Sequence, residues 1–141
     1  MRRSTLIKAV LTLTFAICTL TVSTKENDTD KRWETLICAI SAVESSSNPS
    51  AVNGSHVGYL QISPICVKDC NEVSKKKFTL ADRYSKEKSI EMFNVYQNRY
   101  NPEHDIEKAL RIWNGGPRYS IKGTNGYVRK VMKEFNRLIG K

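Results

Sequence analysis

Apolar side chains recur every three or four residues along most of this chain, and that spacing limits the folds open to it. The clearest case is the segment from about Arg32 to Glu44, whose apolar residues are Trp33, Leu36, Ile37, Ile40 and Val43. Such spacing places the side chains on one face of a helix. No run of strand length alternates apolar and polar residues. The sequence therefore predicts an all-α fold.

Capping and helix-breaking residues divide the rest of the chain into further helices. Ser85 is placed to cap a helix, since its side-chain oxygen can accept from a free backbone N–H group of the first turn. Ser63-Pro64 opens another helix, with Pro64 in its first turn, and Asp105 begins a third. The predicted helices run from Ser63 to about Val73, from Ser85 to Tyr100, from Asp105 to Asn114, and from Asn125 or Gly126 to about Ile139. Asn48-Pro49 and Asn53-Gly54 predict a loop after the first helix.

The N-terminus has the pattern of a secretory signal peptide. Three basic residues precede a charge-free run at 9–24 that is rich in Leu, Val, Ala and Thr. This run is shorter than the ~20 residues that span a membrane, and a basic start before a short apolar stretch is typical of an export signal. We expect a signal peptide at 1–23, a flexible lead-in at 24–31 and one domain at 32–141. An uncleaved membrane anchor is the alternative.

The chain is basic, with a formal net charge of +9. Such a charge favours polyanionic partners, of which nucleic acid, anionic lipid headgroups and an acidic cell wall are the three classes to weigh. The basic residues are scattered apart from Lys75-Lys76-Lys77, a run typical of a solvated loop. No nucleic-acid-binding motif is present, and export argues further against nucleic acid as the partner.

Three cysteines follow the predicted signal peptide, so one intramolecular disulfide at most can form there. Cys66 and Cys70 are four residues apart on one predicted helix, a spacing that brings the thiols together but strains a disulfide. Cys38 is predicted on the apolar face of the first helix and could pair with either. Small buried side chains are the alternative. His56 and His104 have no standard zinc-ligand spacing to a cysteine pair, so we expect no metal and no cofactor.

Glu44 closes the apolar face of the first predicted helix and is followed by Ser45-Ser46-Ser47-Asn48-Pro49. A carboxylate at the end of a buried face loses hydration, which favours its protonated form. Such a group is a candidate general acid near neutral pH. Cleavage of a glycosidic bond is a reaction that this chemistry serves.

Four sequence blocks, in order, carry a family resemblance. The blocks are Glu44-Ser45-Ser46-Ser47-Asn48-Pro49-Ser50-Ala51-Val52, Gly58-Tyr59-Leu60-Gln61-Ile62, Ala109-Leu110-Arg111-Ile112-Trp113-Asn114-Gly115-Gly116-Pro117 and Tyr127-Val128-Arg129-Lys130-Val131. The series resembles the catalytic domain of soluble lytic transglycosylases, a branch of the lysozyme-like superfamily. It covers about residues 32–135 and implies a lysozyme-like single domain with a substrate cleft.

The resemblance implies a role for each matching residue. Glu44 is the catalytic residue, and the substrate-binding residues are Ser45, Gly58, Tyr59, Gln61, Trp113, Asn114 and Tyr127. Gly58 would let the backbone approach the sugar, Tyr59 would offer a stacking face and Tyr127 would hydrogen-bond near Glu44. Trp113 could instead belong to the core. The chain departs from the family pattern in a loop about one residue shorter before Gln61, and in Trp-Asn-Gly-Gly where Tyr-Asn-Ala-Gly is more usual.

The activity implied is cleavage of the bond between N-acetylmuramic acid and N-acetylglucosamine in peptidoglycan, leaving 1,6-anhydro ends. One alternative is a hydrolytic muramidase similar to goose-type lysozyme, in which Asp69, Glu72 or Asp82 would position a water. Asp69 and Glu72 belong to no motif that would aim them at the cleft. Another alternative is a non-catalytic wall-binding protein. We expect an exported monomer, in the periplasm or outside the cell. Its expected partners are peptidoglycan glycan strands, and a secretion apparatus or phage structural proteins are candidate further partners.

Overall fold

The computed structural model describes residues 28–140, and the predicted signal peptide lies outside them. The chain divides into two units at Arg32, and Trp33–Lys141 is the unit that contains the functional site. No helix among the described residues is both long enough and apolar enough to cross a membrane.

The described chain is mainly helical, which confirms the all-α fold class. Helix α1 covers residues 28–45. The elements that follow are β1 (Val52–Asn53), β2 (His56–Val57), α2 (Pro64–Val73), a 3₁₀ helix (Ala81–Tyr84), α3 (Lys86–Tyr100), α4 (Ile106–Gly115) and α5 (Ile121–Ile139). The predicted starts of α2, α3 and α4 are confirmed, with Ser63, Ser85 and Asp105 as the capping side chains.

Helix α1 is longer than predicted, because residues 28–31 of the expected lead-in are already helical. Its C-terminus is set by Ser46 and Ser47, whose φ angles are 53° and 60°. This left-handed backbone cannot continue a right-handed helix. The Ser47 N–H donates to the carbonyl of Ser41 at 3.0 Å, which satisfies a carbonyl that the helix end would otherwise leave free.

A short β-hairpin, which the sequence analysis did not predict, occupies the loop after α1. Val52 pairs with Val57 and Asn53 pairs with His56 in antiparallel register, and Gly54 turns the chain with a φ of 59°. Each strand has only two residues, too few for an apolar–polar alternation to register in the sequence.

The predicted start of the last helix at Asn125 or Gly126 is wrong. Helix α5 begins at Ile121, because the Ser120 hydroxyl accepts from the Gly123 N–H at 2.9 Å and caps the helix. A Cβ atom at position 123 would lie 2.7 Å from that hydroxyl oxygen. Gly123 therefore makes room for the cap.

Helix α3 lies at the centre of the core and contacts three other helices. Its Phe93 ring packs 5.7 Å from Trp33 of α1 and 4.9 Å from Trp113 of α4. On another side, the Cys70 thiol of α2 donates to the Met92 carbonyl of α3 at 3.4 Å. Helix α4 packs in turn against α5. The apolar faces predicted by helical spacing thus meet around α3.

The expected position of Cys38 on the apolar face of α1 is wrong, because Cys38 is exposed. It lies two residues after Leu36, which is about 200° around a helix and so on the opposite face. Cys66 is half-buried and Cys70 is buried, and all three are free thiols. The hydrogen bond with Cys70, together with burial, raises the pKa of the Cys66 thiol.

Candidate functional site

A cavity of about 430 Å³ lies where the end of α1, the hairpin, the start of α2 and the end of α4 meet. Its lining residues are Glu44, Asn53, His56, Gln61, Ile62, Ser63, Ile65, Cys66, Asp69, Tyr96, Ile112, Trp113, Asn114 and Gly116. Four of the site residues expected from the sequence, Glu44, Gln61, Trp113 and Asn114, are therefore brought together. A fifth, Tyr127, contacts Glu44 directly.

Glu44 receives its hydrogen bond from the far end of the chain. The Tyr127 hydroxyl on α5 donates to Glu44 Oε1 at 2.8 Å. Burial raises the pKa of the Glu44 carboxyl above its usual value, and this effect exceeds the opposing ones of the Tyr127 hydrogen bond and the charge of His56. Burial and the neighbouring carboxylate raise the pKa of Tyr127 well above its usual value, so the phenol keeps its proton. A carboxyl in this setting can donate a proton and take one back.

His56 is a cavity residue that the sequence analysis considered only as a zinc ligand. It stands on β2, and its positive charge, when present, lowers the pKa of Glu44. Its Nδ1 lies 3.5 Å from the Ser55 hydroxyl. The hairpin brings His56 to the cavity, and since the hairpin itself was not predicted, nothing in the sequence pattern distinguished this histidine.

Gln61 occupies a strained backbone position beside the cavity, with a φ of 51°. Its Nε2 donates to the carbonyls of Gly58 at 3.0 Å and Ala51 at 3.2 Å. Its Oε1 is buried and has no hydrogen-bond partner among the described residues. A buried acceptor without a partner is costly. Gln61 lines the cavity, but this oxygen is itself enclosed, so a bound ligand reaches it only after the side chain moves.

Trp113 belongs both to the core and to the cavity lining. Its ring packs edge-on to Phe93 at 4.9 Å and to Tyr96 at 5.9 Å. Asn114 follows it at the exposed end of α4. A Cβ atom on the next residue, Gly115, would lie 2.8 Å from Tyr119 Cβ and 2.9 Å from Thr124 Cγ2. Gly115 therefore has to be small, because α4 approaches the start of α5 closely at this point.

Besides Tyr127, which reaches Glu44 from outside the cavity lining, three of the expected substrate-binding residues do not line the cavity. A Cβ atom on Gly58, whose φ is 84°, would lie 1.7 Å from the Arg83 carbonyl oxygen, so this glycine admits protein backbone and not a sugar. Tyr59 is only 5% exposed and offers no free stacking face. The Ser45 hydroxyl lies 2.8 Å from the Tyr59 carbonyl, which joins α1 to the segment after the hairpin.

Arg83 is a buried cation that the sequence analysis missed. Its Nη1 donates to the carbonyls of Ser55 at 3.0 Å and Ile62 at 3.1 Å, and its Nε donates to the Leu80 carbonyl at 2.9 Å. All of these partners are backbone carbonyls. Arg83 thereby ties the turn of the hairpin to the segment that carries Gln61.

The three candidates for a second carboxylate differ in position. Asp69 lines the cavity that contains Glu44, contrary to the expectation that no motif would aim it there. Glu72 is exposed and lies 3.7 Å from Lys68 Nζ. Asp82 is outside the cavity lining, and its Oδ2 accepts from the Thr79 N–H at 2.7 Å. Only Asp69 therefore shares the cavity with Glu44.

No protein-family model, curated protein or solved structure matches this chain. Within residues 28–140, no group of three or more His, Cys, Asp or Glu side chains is placed to hold a metal ion.

Proposed function

We propose that the chain is a peptidoglycan lytic transglycosylase with Glu44 as its single catalytic carboxyl group. The observation that carries the proposal is the setting of Glu44: a cavity-lining carboxyl whose pKa is raised by burial and which is held by the Tyr127 hydroxyl. The ordered motif series supplies the substrate class. We further propose that the helical unit is lysozyme-like, and that the chain is exported as a monomer to the cell wall.

The reaction uses the Glu44 carboxyl twice. As an acid, it protonates the oxygen that bridges N-acetylmuramic acid and N-acetylglucosamine while positive charge develops on the anomeric carbon. As a base, it then takes the proton of the same muramic sugar's 6-hydroxyl, whose oxygen bonds to the anomeric carbon. The products are a free N-acetylglucosamine 4-hydroxyl and a 1,6-anhydro end. Because the nucleophile is tethered to the reacting sugar, no water needs activation.

Other cavity residues suit the binding of a glycan. Asn114 offers both a donor and an acceptor at the cavity edge, where a sugar hydroxyl or an acetamido group could bind. Trp113 offers an apolar surface to a sugar ring. These groups form hydrogen bonds and apolar contacts without requiring a charged ligand.

A hydrolytic muramidase is the second candidate, and Asp69 favours it. A hydrolase of the two-carboxylate kind needs a second carboxyl group near the acid to activate water or to act as the nucleophile. Asp69 is the described candidate that lines the same cavity.

Mass analysis of the soluble products from purified peptidoglycan tests the proposal. Lytic cleavage gives muramic ends lighter by one water, about 18 Da, than hydrolytic ends, and an Asp69→Asn variant should keep its rate within a few-fold. If the unmodified chain releases mainly reducing ends and the Asp69→Asn variant does not, the chain is a hydrolytic muramidase. If the unmodified chain binds the wall but releases no soluble product, the chain is a non-catalytic wall-binding protein.

A further inference from the structure

The outward side of α5 carries an unbroken set of positive charges. The exposed basic residues of this helix are Lys122, Arg129, Lys130, Lys133 and Arg137, and together they are called the basic face below. At 100° per residue, their positions fall within an arc of about 100° and extend about 22 Å along the helix. Basic residues that are scattered in the sequence are thus gathered on one surface.

The rest of α5 explains why this face points outward. Thr124, Val128, Val131 and Phe135 are buried on the opposite side of the helix. Among the described residues, no carboxylate lies within ion-pairing distance of the basic face except Glu134, which pairs with Arg137. Four of the five cations therefore have no anionic partner within residues 28–140.

The basic face is separate from the catalytic cavity. Tyr127, which reaches Glu44, lies about 110° around the helix from the middle of the basic face and about 60° from Lys130, its nearest member. No residue of the basic face lines the cavity. A polymer can therefore contact this face while another stretch of polymer occupies the cavity.

The composition of the face decides between classes of polyanion. It has no aromatic side chain on which the bases of a single-stranded nucleic acid could stack. The apolar side of α5 is buried in the core, so the helix cannot insert into a bilayer as an interfacial helix does. What remains is electrostatic contact with anionic groups distributed along an extended polymer.

We propose that the basic face docks the enzyme on the carboxylates of the peptidoglycan network, at a second site beside the cleft. This inference rests on the proposed function, because the anionic polymer is the substrate itself. Two contacts with one network raise the local concentration of glycan at the cavity.

The test is a binding titration of the full chain on purified insoluble peptidoglycan, in a Glu44→Gln background that leaves the wall intact. One variant replaces Arg129, Lys130 and Lys133 by Gln, and the matched control replaces Lys75, Lys76 and Lys77 by Gln, so both lose three charges. The basic-face variant should bind the wall about tenfold more weakly at low salt, and the control less than twofold more weakly. Raising the salt should erase the difference.

Turnover of short soluble fragments, measured with Glu44 restored, distinguishes docking from damage to the site. The basic-face variant should match the unmodified chain on these fragments. An equal loss of binding in both variants, or a matching loss on the fragments, would overturn the proposal, as would tighter binding to anionic vesicles or duplex DNA than to the wall. If the basic-face variant binds the wall more weakly than the control but no protein with Glu44 restored cleaves the fragments, the docking proposal stands and the proposed activity is wrong.

Discussion

The hairpin side and the helical side of the cavity are held in place by different kinds of contact. On the hairpin side, Arg83 and Gln61 bind backbone carbonyls, and Gly58 packs against the Arg83 carbonyl. On the helical side, Trp113 packs against the aromatic side chains of α3, and α4 packs on α5. One side depends on backbone conformation and the other on side-chain packing.

The difference matters because both sides act on one carboxyl group. Tyr127 of α5 donates to Glu44, and the charge of His56 on the hairpin acts on it from the cavity. The helical side orients the Glu44 carboxyl group and lowers its pKa through a hydrogen bond, and the hairpin side lowers that pKa less, through charge. Burial outweighs both effects. We expect substitutions on the two sides to differ accordingly.

The largest effect should come from the group on which both sides converge. Glu44→Gln keeps the side-chain volume and an acceptor for the Tyr127 hydroxyl, but it has no transferable proton. Cleavage of peptidoglycan should fall by about 10² to 10⁴, the range that general acid catalysis contributes. Glu72→Gln, which changes an exposed carboxylate outside the cavity, is the control and should leave the rate unchanged. Near-normal clearance of the wall by Glu44→Gln would mean that the acid is misassigned.

On the hairpin side, Gly58→Ala should destabilise the fold by about 3 kcal/mol or more, because it adds a steric conflict with backbone to a positive φ. The control is Gly54→Ala, at a φ of 59° with nothing within 4 Å of the added Cβ atom. There only the backbone conformation is disfavoured, at about 1 kcal/mol. Urea unfolding of both variants gives the difference, and equal losses would show that the approach of Arg83 contributes nothing.

On the helical side, the corresponding substitution should cost less, because its close contacts at 2.8 Å and 2.9 Å are less severe than the 1.7 Å approach at Gly58. Gly115→Ala should destabilise the fold by about 1–3 kcal/mol, as overpacking does. Gly126→Ala adds a Cβ atom to α5 with nothing within 4 Å. This control should stabilise the helix by about 0.5–1 kcal/mol. Thermal unfolding measures both, and a Gly115→Ala variant as stable as the unmodified chain would contradict the close approach of α4 to α5.

The smallest effect should be a change in pH dependence. Tyr127→Phe removes a donor to the ionised carboxylate, so the pKa of Glu44 rises further. The acid form then persists to higher pH, and the alkaline limb of the rate profile should move up by about 0.5–1 pH unit. A His56→Gln variant should move the same limb in the same direction by less, and only where the histidine is charged. A limb that moves down in either variant would contradict the assigned contacts.

Helical spacing and capping residues predicted α1 to α4 because these signals are local. The spacing of Trp33, Leu36 and Ile40 defines an apolar helix face without reference to the elements that pack on it. The caps formed by Ser85 and Asp105 act within the first turn of their helices. The start of α5 was missed because glycine is usually unfavourable inside a helix, whereas Gly123 leaves room for the Ser120 side chain that caps this one.

The site could be predicted only in part, for a similar reason. Glu44, Gln61, Trp113, Asn114 and Tyr127 were found because the motif series marks them. Their neighbours Arg83 and His56 act through a hairpin whose strands are too short to leave a pattern, and Asp69 reaches the cavity through the packing of α2. Conversely, Gly58 and Tyr59 were assigned to substrate, whereas the buried backbone around them accounts for both residues.

The hydrogen bond between Tyr127 and Glu44 joins positions 83 residues apart, and this separation has a consequence for the order of assembly. Contacts between distant positions form only after a large loop closes, so they tend to come late in folding. In a partly folded chain whose helix α5 has not yet packed on the rest of the fold, Glu44 lacks its hydrogen bond from the Tyr127 hydroxyl. On the function and export proposed above, the chain would therefore acquire its activity late in folding, and a chain still unfolded during passage through a membrane would lack the paired Glu44.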